Sequence, residues 1–511
     1  METQSRLSAC LRNAVPASCV WAPRPIARSR GAFDRRRLSA VAAALLACSL
    51  TALCASAGAS VRWLGTQTLG RIGTYPLSGA TLAGVANGQR ALAWNQNGIR
   101  LALAQPGRRF GRPIRISEAS DSKPVLAIDA RGDLVVAWQY SDHSVIPPPE
   151  ERSSSDCCDH VRVAMVRPDG KVVSEQTLTP PGRFANVQAV AISKDGSTAA
   201  VSYTWLPAAA ALGGYGVVDP TPTQLGMRMA SFGHRFGRPT NLGSWAYTAL
   251  LQAFAGRTSI VYAALGAAAE QEAVVSEKGS VISHRFIGGV LAGMTPLPIY
   301  YRMLLTLERE QAFGLDAEGD AAILAEEPSP PSRRTDRLQA MIRRRHGTFR
   351  TLTLATTPGE LYGGHCSPAL AVAPTGLTLA VWSACEGRSI SVALGTIAVP
   401  GGTLKRVSGP TLPASEQVNG LACALGPGRD GLVVADVNDA GARSWENRGS
   451  KMIVFERSSS GHFGPPQEIP TPRKVSFFDE EPAQIATDKR GLSVVVWRGS
   501  ESRLDATWFT Q

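Results

Sequence analysis

The residues of this chain that could do chemistry lie in irregular stretches between apolar runs. His143, Asp156, Asp159 and His160 bracket an adjacent pair, Cys157 and Cys158. Tyr215 and Asp219 share a second stretch, Glu360 and His365 a third, and Trp445 stands in a fourth. Asp479, Glu480 and Glu481 form an acidic trio in a fifth. Two carboxylates, or a carboxylate with a His or Tyr, placed about a glycosidic bond would serve as acid and base. Clustered carboxylates also suit Ca²⁺, the one cation these residues would favour, although no metal or cofactor is expected. Each residue taken alone is more simply a solvated loop charge, and no catalytic residue is assigned. The vicinal cysteines lack the C-x-x-C spacing of a zinc site. P-loop, H-E-x-x-H, G-x-S-x-G and dinucleotide-binding patterns do not occur.

Composition narrows the classes further. The 511 residues are 44% hydrophobic and 18% charged, a globular balance that excludes a disordered chain. The net charge of +12 invites a nucleic-acid reading, but residues 1–60 hold eight Arg and only Glu2 and Asp34. Half of the excess therefore sits in the leader, and no later Lys/Arg run resembles a phosphate-tracking stripe. Arg343-Arg344-Arg345 reads as a solvated strand end.

Residues 38–60 carry no charge and follow Arg35-Arg36-Arg37 directly. A basic region, an apolar stretch and small residues at the end make a secretory signal, with cleavage expected after Ala57 or Ala59. Residues 1–59 are thus read as a signal with a long basic region, and 61–511 as the mature, secreted or envelope-located domain. Arg35-Arg36-Arg37-Leu38 fits a twin-arginine signal in part. Two rival readings stand beside cleavage: residues 38–60 retained as a membrane anchor, or acylation at Cys48 after Leu45-Leu46-Ala47.

Export permits disulfides. Five cysteines follow the leader. Cys366 and Cys385 flank two strands joined by Pro374-Thr375-Gly376, and a hairpin there predicts a bridge between them. Cys423, in the run LACAL, reads as a buried thiol.

The elements that must position these residues emerge when the chain is aligned with itself. PVLAIDARGDLVVAWQ (124–139), AVAISKDGSTAAVSYTW (189–205), AFGLDAEGDAAILAE (312–326), ALAVAPTGLTLAVWSA (369–384) and AQIATDKRGLSVVVWRG (483–499) share one plan. Each is an alternating apolar strand, a tight turn ending in Gly, and a β-rich strand. In Asp129-Ala130-Arg131-Gly132 the Asp side chain accepts a backbone N–H and Gly takes the positive φ. A second hairpin follows, with a shared core of Gly, then Phe, Gly, a variable residue and Pro, as at 107–113, 233–239 and 461–466, whose Phe packs the hairpin end under its neighbour. Turn glycines at 88, 132, 196, 256, 319, 376, 431 and 491 mark eight units of four strands. Such units cannot bury both faces alone, and a ring buries them all. The prediction is an all-β, single closed β-propeller of eight blades, with seven as the alternative. SRLDATWF (502–509) lacks a fourth strand and VRWLGTQTLG (61–70) lacks its unit, so pairing them would close the ring.

The hairpin pattern resembles NHL-type and related bacterial propeller repeats across nearly all of the mature chain. That resemblance implies an architecture and no particular activity. The sialidase Asp-box is incomplete at Ser193-Lys194-Asp195-Gly196, and WD and kelch signatures are missing.

If the Gly turns occupy one face, the connections after second and fourth strands occupy the other. Those connections are long: 141–159, 206–224, 288–310, 355–366, 438–449 and 470–481. Binding is expected there. The leading expectation is an exported, monomeric, non-catalytic protein that takes a protein, glycan or envelope ligand on that face and does not bind nucleic acid. The alternatives are a propeller glycosidase or lyase, and a surface protein tethered through residues 38–60.

Overall fold

Alternating apolar residues cut by glycine turns fold here as four-stranded antiparallel sheets. The computed structural model describes residues 62–72, 79–118, 122–141, 159–180, 182–207, 224–244, 246–264, 270–288, 311–315, 320–327, 335–344, 347–358, 365–373, 375–384, 387–397, 402–426, 430–439, 451–469, 483–499 and 503–510. Among them every regular element is a strand.

Strand β1 (Arg62–Arg71) precedes blade 1, which is β2 (Ala80–Gly84), β3 (Arg90–Asn95), β4 (Ile99–Ala104) and β5 (Ile114–Arg115). Blade 2 holds β6 (Val125–Ile128), β7 (Leu134–Ser141), β8 (Asp159–Val166) and β9 (Val172–Thr177). Blade 3 holds β10 (Gly182–Ile192), β11 (Ala199–Pro207), β12 (Gln224–Ala230) and β13 (Thr240–Ser244). Blade 4 holds β14 (Ala246–Phe254), β15 (Arg257–Ala264), β16 (Glu270–Ser276) and β17 (Val281–Gly288). Blade 5 holds β18 (Gln311–Leu315), β19 (Ala321–Glu327), β20 (Thr335–Arg343) and β21 (Arg350–Pro358). Blade 6 holds β22 (His365–Val372), β23 (Leu377–Ala384), β24 (Ile390–Thr396) and β25 (Thr403–Val407). Blade 7 holds β26 (Glu416–Leu425), β27 (Gly431–Asp439), β28 (Lys451–Arg457) and β29 (Gln467–Glu468). Blade 8 takes β30 (Gln484–Thr487), β31 (Leu492–Arg498) and β32 (Arg503–Thr510) from the C-terminal end, and β1 pairs antiparallel with β32 as its fourth strand. Eight blades, not seven, form the propeller. The first strand of each blade touches that of the next, and β30 returns to β2.

Each blade is buried on both faces, as period-two patterning requires. Along β7, Val135 and Ala137 pack toward blade 3, whereas Leu134, Val136 and Trp138 pack toward blade 1. Among the described residues the apolar core resolves into eight clusters, one for each seam between neighbouring blades. An aromatic stands six residues after the turn glycine in five blades: Trp94, Trp138, Tyr262, Trp382 and Trp497. All five face the preceding blade. The hairpin phenylalanines behave as the sequence predicts. Phe110 and Phe236 are buried against the preceding blade, and Phe463 is half-buried there. Full burial of one such ring stabilises by about 1.5–3 kcal/mol.

The turn chemistry follows the sequence at most sites. Asp129 Oδ1 accepts the N–H of Arg131 (2.8 Å) and of Asp133 (2.9 Å), and Gly132 has φ +88°. Asp488 repeats this with Arg490 (2.8 Å) and Leu492 (3.1 Å). Gly431 departs from the expectation: it opens β27 without a positive φ, because the turn there closes two residues earlier, from Gly426 N to Asp430 O. Arg343 also departs. It is buried rather than solvated, because Glu272 of blade 4 meets it across the seam.

A second buried pair closes the ring. Arg90 in blade 1 lies 3.4 Å from Asp488 in blade 8, both nearly excluded from solvent. Arg90 also donates to the carbonyls of Gly88 and Leu492, and its guanidinium lies 5.2 Å over the Trp508 ring. Removing one member of a buried pair strands the other charge at a cost of about 3–5 kcal/mol. Asp488→Asn is therefore expected to lower the urea midpoint sharply, and Arg90→Met combined with it to recover much of the loss.

Candidate binding surface

Strand direction divides the connections between two faces. Turns after the first and third strands of each blade, with residues such as Asp129–Asp133 and Arg167–Lys171, lie on one face, here the turn face. Connections after the second and fourth strands leave from the opposite, loop face.

Most of the candidate residues belong to those loop-face connections. His143, Asp156, Tyr215, Glu360, Trp445, Asp479, Glu480 and Glu481 lie outside the described residues, as do Ala57, Ala59 and Cys385. His365 opens β22 opposite Ala384, and Cys366 stands opposite Ser383, two residues before Cys385. His160 is placed fully. Its Nδ1 lies 3.2 Å from the carbonyl of Thr179, and its ring stacks on Tyr140 at 6.3 Å.

Around His160 the structure shows a platform that motif reasoning missed. Tyr140 pairs directly with His160 across the β7–β8 register, and Trp138 with Arg162. The Arg162 guanidinium covers Tyr140 at 5.2 Å and Trp138 at 5.9 Å, and pairs with Glu175 at 2.7 Å. On the other face of the same strands, Asp159 is buried and accepts from Gln139 Nε2 (2.8 Å) and Ser141 Oγ. This stack of aromatic rings and planar polar groups sits at the root of connection 142–158. Alternation in D-H-V-R-V and the Trp-Gln-Tyr end of β7 held the signal, since residues two apart share a face.

Two further polar groups mark the same end of other blades. In blade 4, the Tyr262 hydroxyl donates to Gln271 Oε1 at 3.0 Å and lies 2.8 Å from His284 Nε2; burial raises its phenol above the ordinary value. In blade 7, Lys451 pairs with the buried Glu416 and lies 3.6 Å from Glu468, and the Glu416 hydrogen bond raises its ammonium pKa.

On the turn face a shallow cleft of about 660 Å³ opens between blades 2 and 3, lined by Arg131, Asp133, Arg167, Asp195, Phe232 and His234, among others. Its charges largely satisfy one another. Arg131 pairs with Asp129 (3.1 Å) and Asp133 (2.9 Å). Asp133 is raised above its usual range by desolvation and by the neighbouring Asp129. Hydrogen bonds from Ser193 Oγ (2.6 Å) and from the N–H and Oγ of Ser197 hold Asp195 at about 2. Among the described residues no three His, Cys, Asp or Glu side chains gather as they would around a metal ion. No described helix is long and apolar enough to cross a membrane.

With strand pairing and seams in place, the chain is an eight-bladed β-propeller. No family model matches it, so the likeness to NHL-type repeats stands on the hairpin pattern alone, and no curated protein matches it. Several solved structures are similar in fold. A prolyl endopeptidase aligns with TM-score 0.42 and 11% identity over 85% of this chain, which spans only 54% of that one. The β-propeller domain of the Trilobed protease from Pyrococcus furiosus, with its open velcro topology, aligns at 0.39 and 8% identity over 76% of this chain and 95% of that one. The α-L-arabinanase of Penicillium chrysogenum, complexed with arabinobiose, aligns at 0.33 and 10% over 88% and 98%.

Two measurements check the site chemistry. Asp195 has a folded pKa below its ordinary 3.8, so its contribution to the turn is whole above that value and fades as pH falls toward 2. Ser197→Ala removes one donor, and an NMR titration of the carboxyl should show the midpoint rising. Cys423 is a free thiol, with burial pushing its pKa up. Peptide mapping after alkylation should find it unmodified in the folded protein and modified in denaturant.

Proposed function

We propose that this protein is an exported, non-catalytic β-propeller that binds a protein, glycan or envelope ligand on its loop face. One observation carries this reading: the strand pairing sends all six long connections to the same side of the ring, while the turn side is closed by short hydrogen-bonded hairpins. Long loops on one side of a rigid scaffold are where recognition concentrates. The half-buried Tyr140–His160–Arg162 group, backed by the buried Trp138, supports it. Flat apolar rings flanked by planar polar groups suit the faces and hydroxyls of a sugar, or an aromatic-rich peptide.

A carbohydrate-processing enzyme would need two carboxylates converging at a common cleft on this face. Asp159, Glu416 and Asp505, buried carboxylates near this end of their strands, are each bound to side chains of their own blade.

The test is a glycan and protein array probed with the chain from Val61 onward, and with a variant whose connection 142–158 is replaced by a short Gly/Ser linker. The expected result is saturable binding that the variant loses while its melting temperature is kept. Binding that survives in the variant moves the site away from blade 2. Release of reducing ends from a bound glycan replaces the binding reading with the enzymatic one.

A further inference from the structure

The turn face has an uneven charge distribution. Its inner hairpins, between first and second strands, mix both signs, as in Asp129, Arg131 and Asp133. The outer hairpins of blades 1, 2 and 3, between third and fourth strands, are basic: Arg108, Arg109, Arg112, Arg167, Arg235 and Arg238 are all exposed, and Asp169 is the one acid among these three hairpins. They form an arc across three consecutive blades. The loop face has the opposite tendency in its longest blade-2 connection, where residues 142–158 hold four acids against Arg152.

The same arc adjoins the place where the N-terminal segment joins the ring. β1 starts at Arg62 opposite Thr510, and β32 runs from the loop face to the turn face, so Arg62 lies at the turn-face end. The Arg109 guanidinium donates to the carbonyl of Leu64, two residues into β1. The chain immediately before this point is the uncharged stretch 38–60 and its arginine-rich flank.

We propose that the turn face docks on an anionic lipid bilayer through the arginine arc of blades 1–3. The outer hairpins of these three consecutive blades all lie on the turn face, and their exposed guanidinium groups together suit a layer of phosphates. Each Lys or Arg held within a Debye length of such a surface adds roughly 1 kcal/mol. Docking in this sense turns the loop face away from the bilayer, where a soluble or surface ligand can reach it. The inference does not depend on what the loop face binds.

The chain from Val61 onward carries every described strand, including both partners of the closing β1–β32 pair, and so tests the arc without the leader. Its cosedimentation with phosphatidylcholine vesicles is compared with that on vesicles containing phosphatidylglycerol. The expected result is binding to the phosphatidylglycerol vesicles only, weakened by salt. The variant Arg108→Glu, Arg112→Glu, Arg235→Glu, Arg238→Glu should bind more than about tenfold more weakly. The loop-face control Lys123→Glu, Arg388→Glu should bind as before. A neutral set, the same four arginines changed to Gln, guards against misfolding and should also lose binding at an unchanged melting temperature. Equal binding to both vesicles, no binding to either, or full binding by the Gln set overturns the proposal. Retention on heparin without lipid binding overturns it in favour of a soluble polyanion.

Discussion

The structure depends on one constraint: a four-stranded sheet whose strands are apolar on both faces has no stable existence alone. Along β27, Leu432 and Val434 belong to the seam with blade 8, while Val433, Ala435 and Val437 belong to the seam with blade 6. Every blade must therefore be covered twice. A stack of such sheets would leave two uncovered ends, and closing it into a ring leaves none. Eight seams are needed for eight blades, and the ring supplies them, the last through a blade shared by both ends of the chain. The β1–β32 pairing is thus the condition for the other seams to be complete.

Polar groups refine the seams that apolar packing creates. At the closing seam, Arg90 and Asp488 join blades whose residues are about 400 positions apart in sequence, and Lys489 N–H donates to Ala86 O at 3.0 Å beside them. Between blades 4 and 5, Glu272 accepts from Ser259 Oγ at 2.7 Å and meets both Arg285 and Arg343. Arg343 also donates to Gln252 Oε1 at 2.9 Å. A buried carboxylate with this many donors is well satisfied. Such pairs add less net stability than an apolar seam would, but they penalise a misaligned blade heavily. That property suits a fold built from near-identical modules, in which the wrong neighbour is nearly as good as the right one.

The architecture was legible because it rests on local rules. Period two in strands such as LVVAW, glycine at the positive-φ position of each turn and phenylalanine at the hairpin end are all written within about twenty residues. The orphan strands at both ends of the domain announced ring closure by their incompleteness. What depends on distant partners was not legible. Nothing near Arg343 indicates Glu272, 71 positions earlier, so an arginine run ending a strand read as solvated. The GPGRDG turn offered three glycines, and the choice of Gly431 failed because register, not composition, decides which one bends the chain. The Tyr140–His160–Arg162 platform was hidden for a similar reason: its members become neighbours only through β7–β8 pairing across an intervening connection.

The turn glycines explain why the two faces differ. A positive φ accounts for glycine at 88, 132, 196, 256, 376 and 491, and in blades 1–3 crowding by the preceding blade reinforces it. A Cβ on Gly88 would lie 2.9 Å from Asp488 Oδ2, and one on Gly132 would lie 2.8 Å from the Gln89 amide. One on Gly196 would collide with the Arg131 guanidinium. The inner turns of blades 1, 2 and 3 therefore each lie beneath a side chain of the blade before, whereas a Cβ on Gly256 of blade 4 would meet nothing within 4 Å. Asn87 and Gln89 continue the pattern by donating to the carbonyls of Ala130 and Arg131 in blade 2. A hairpin locked in this way has no room to lengthen. Connections on the other face are longer in sequence, and long loops tolerate insertions and sequence drift at little cost in ring stability. The packing of these inner turns thus commits the turn side of blades 1–3 to holding the ring, which supports the proposal that recognition belongs to the other side.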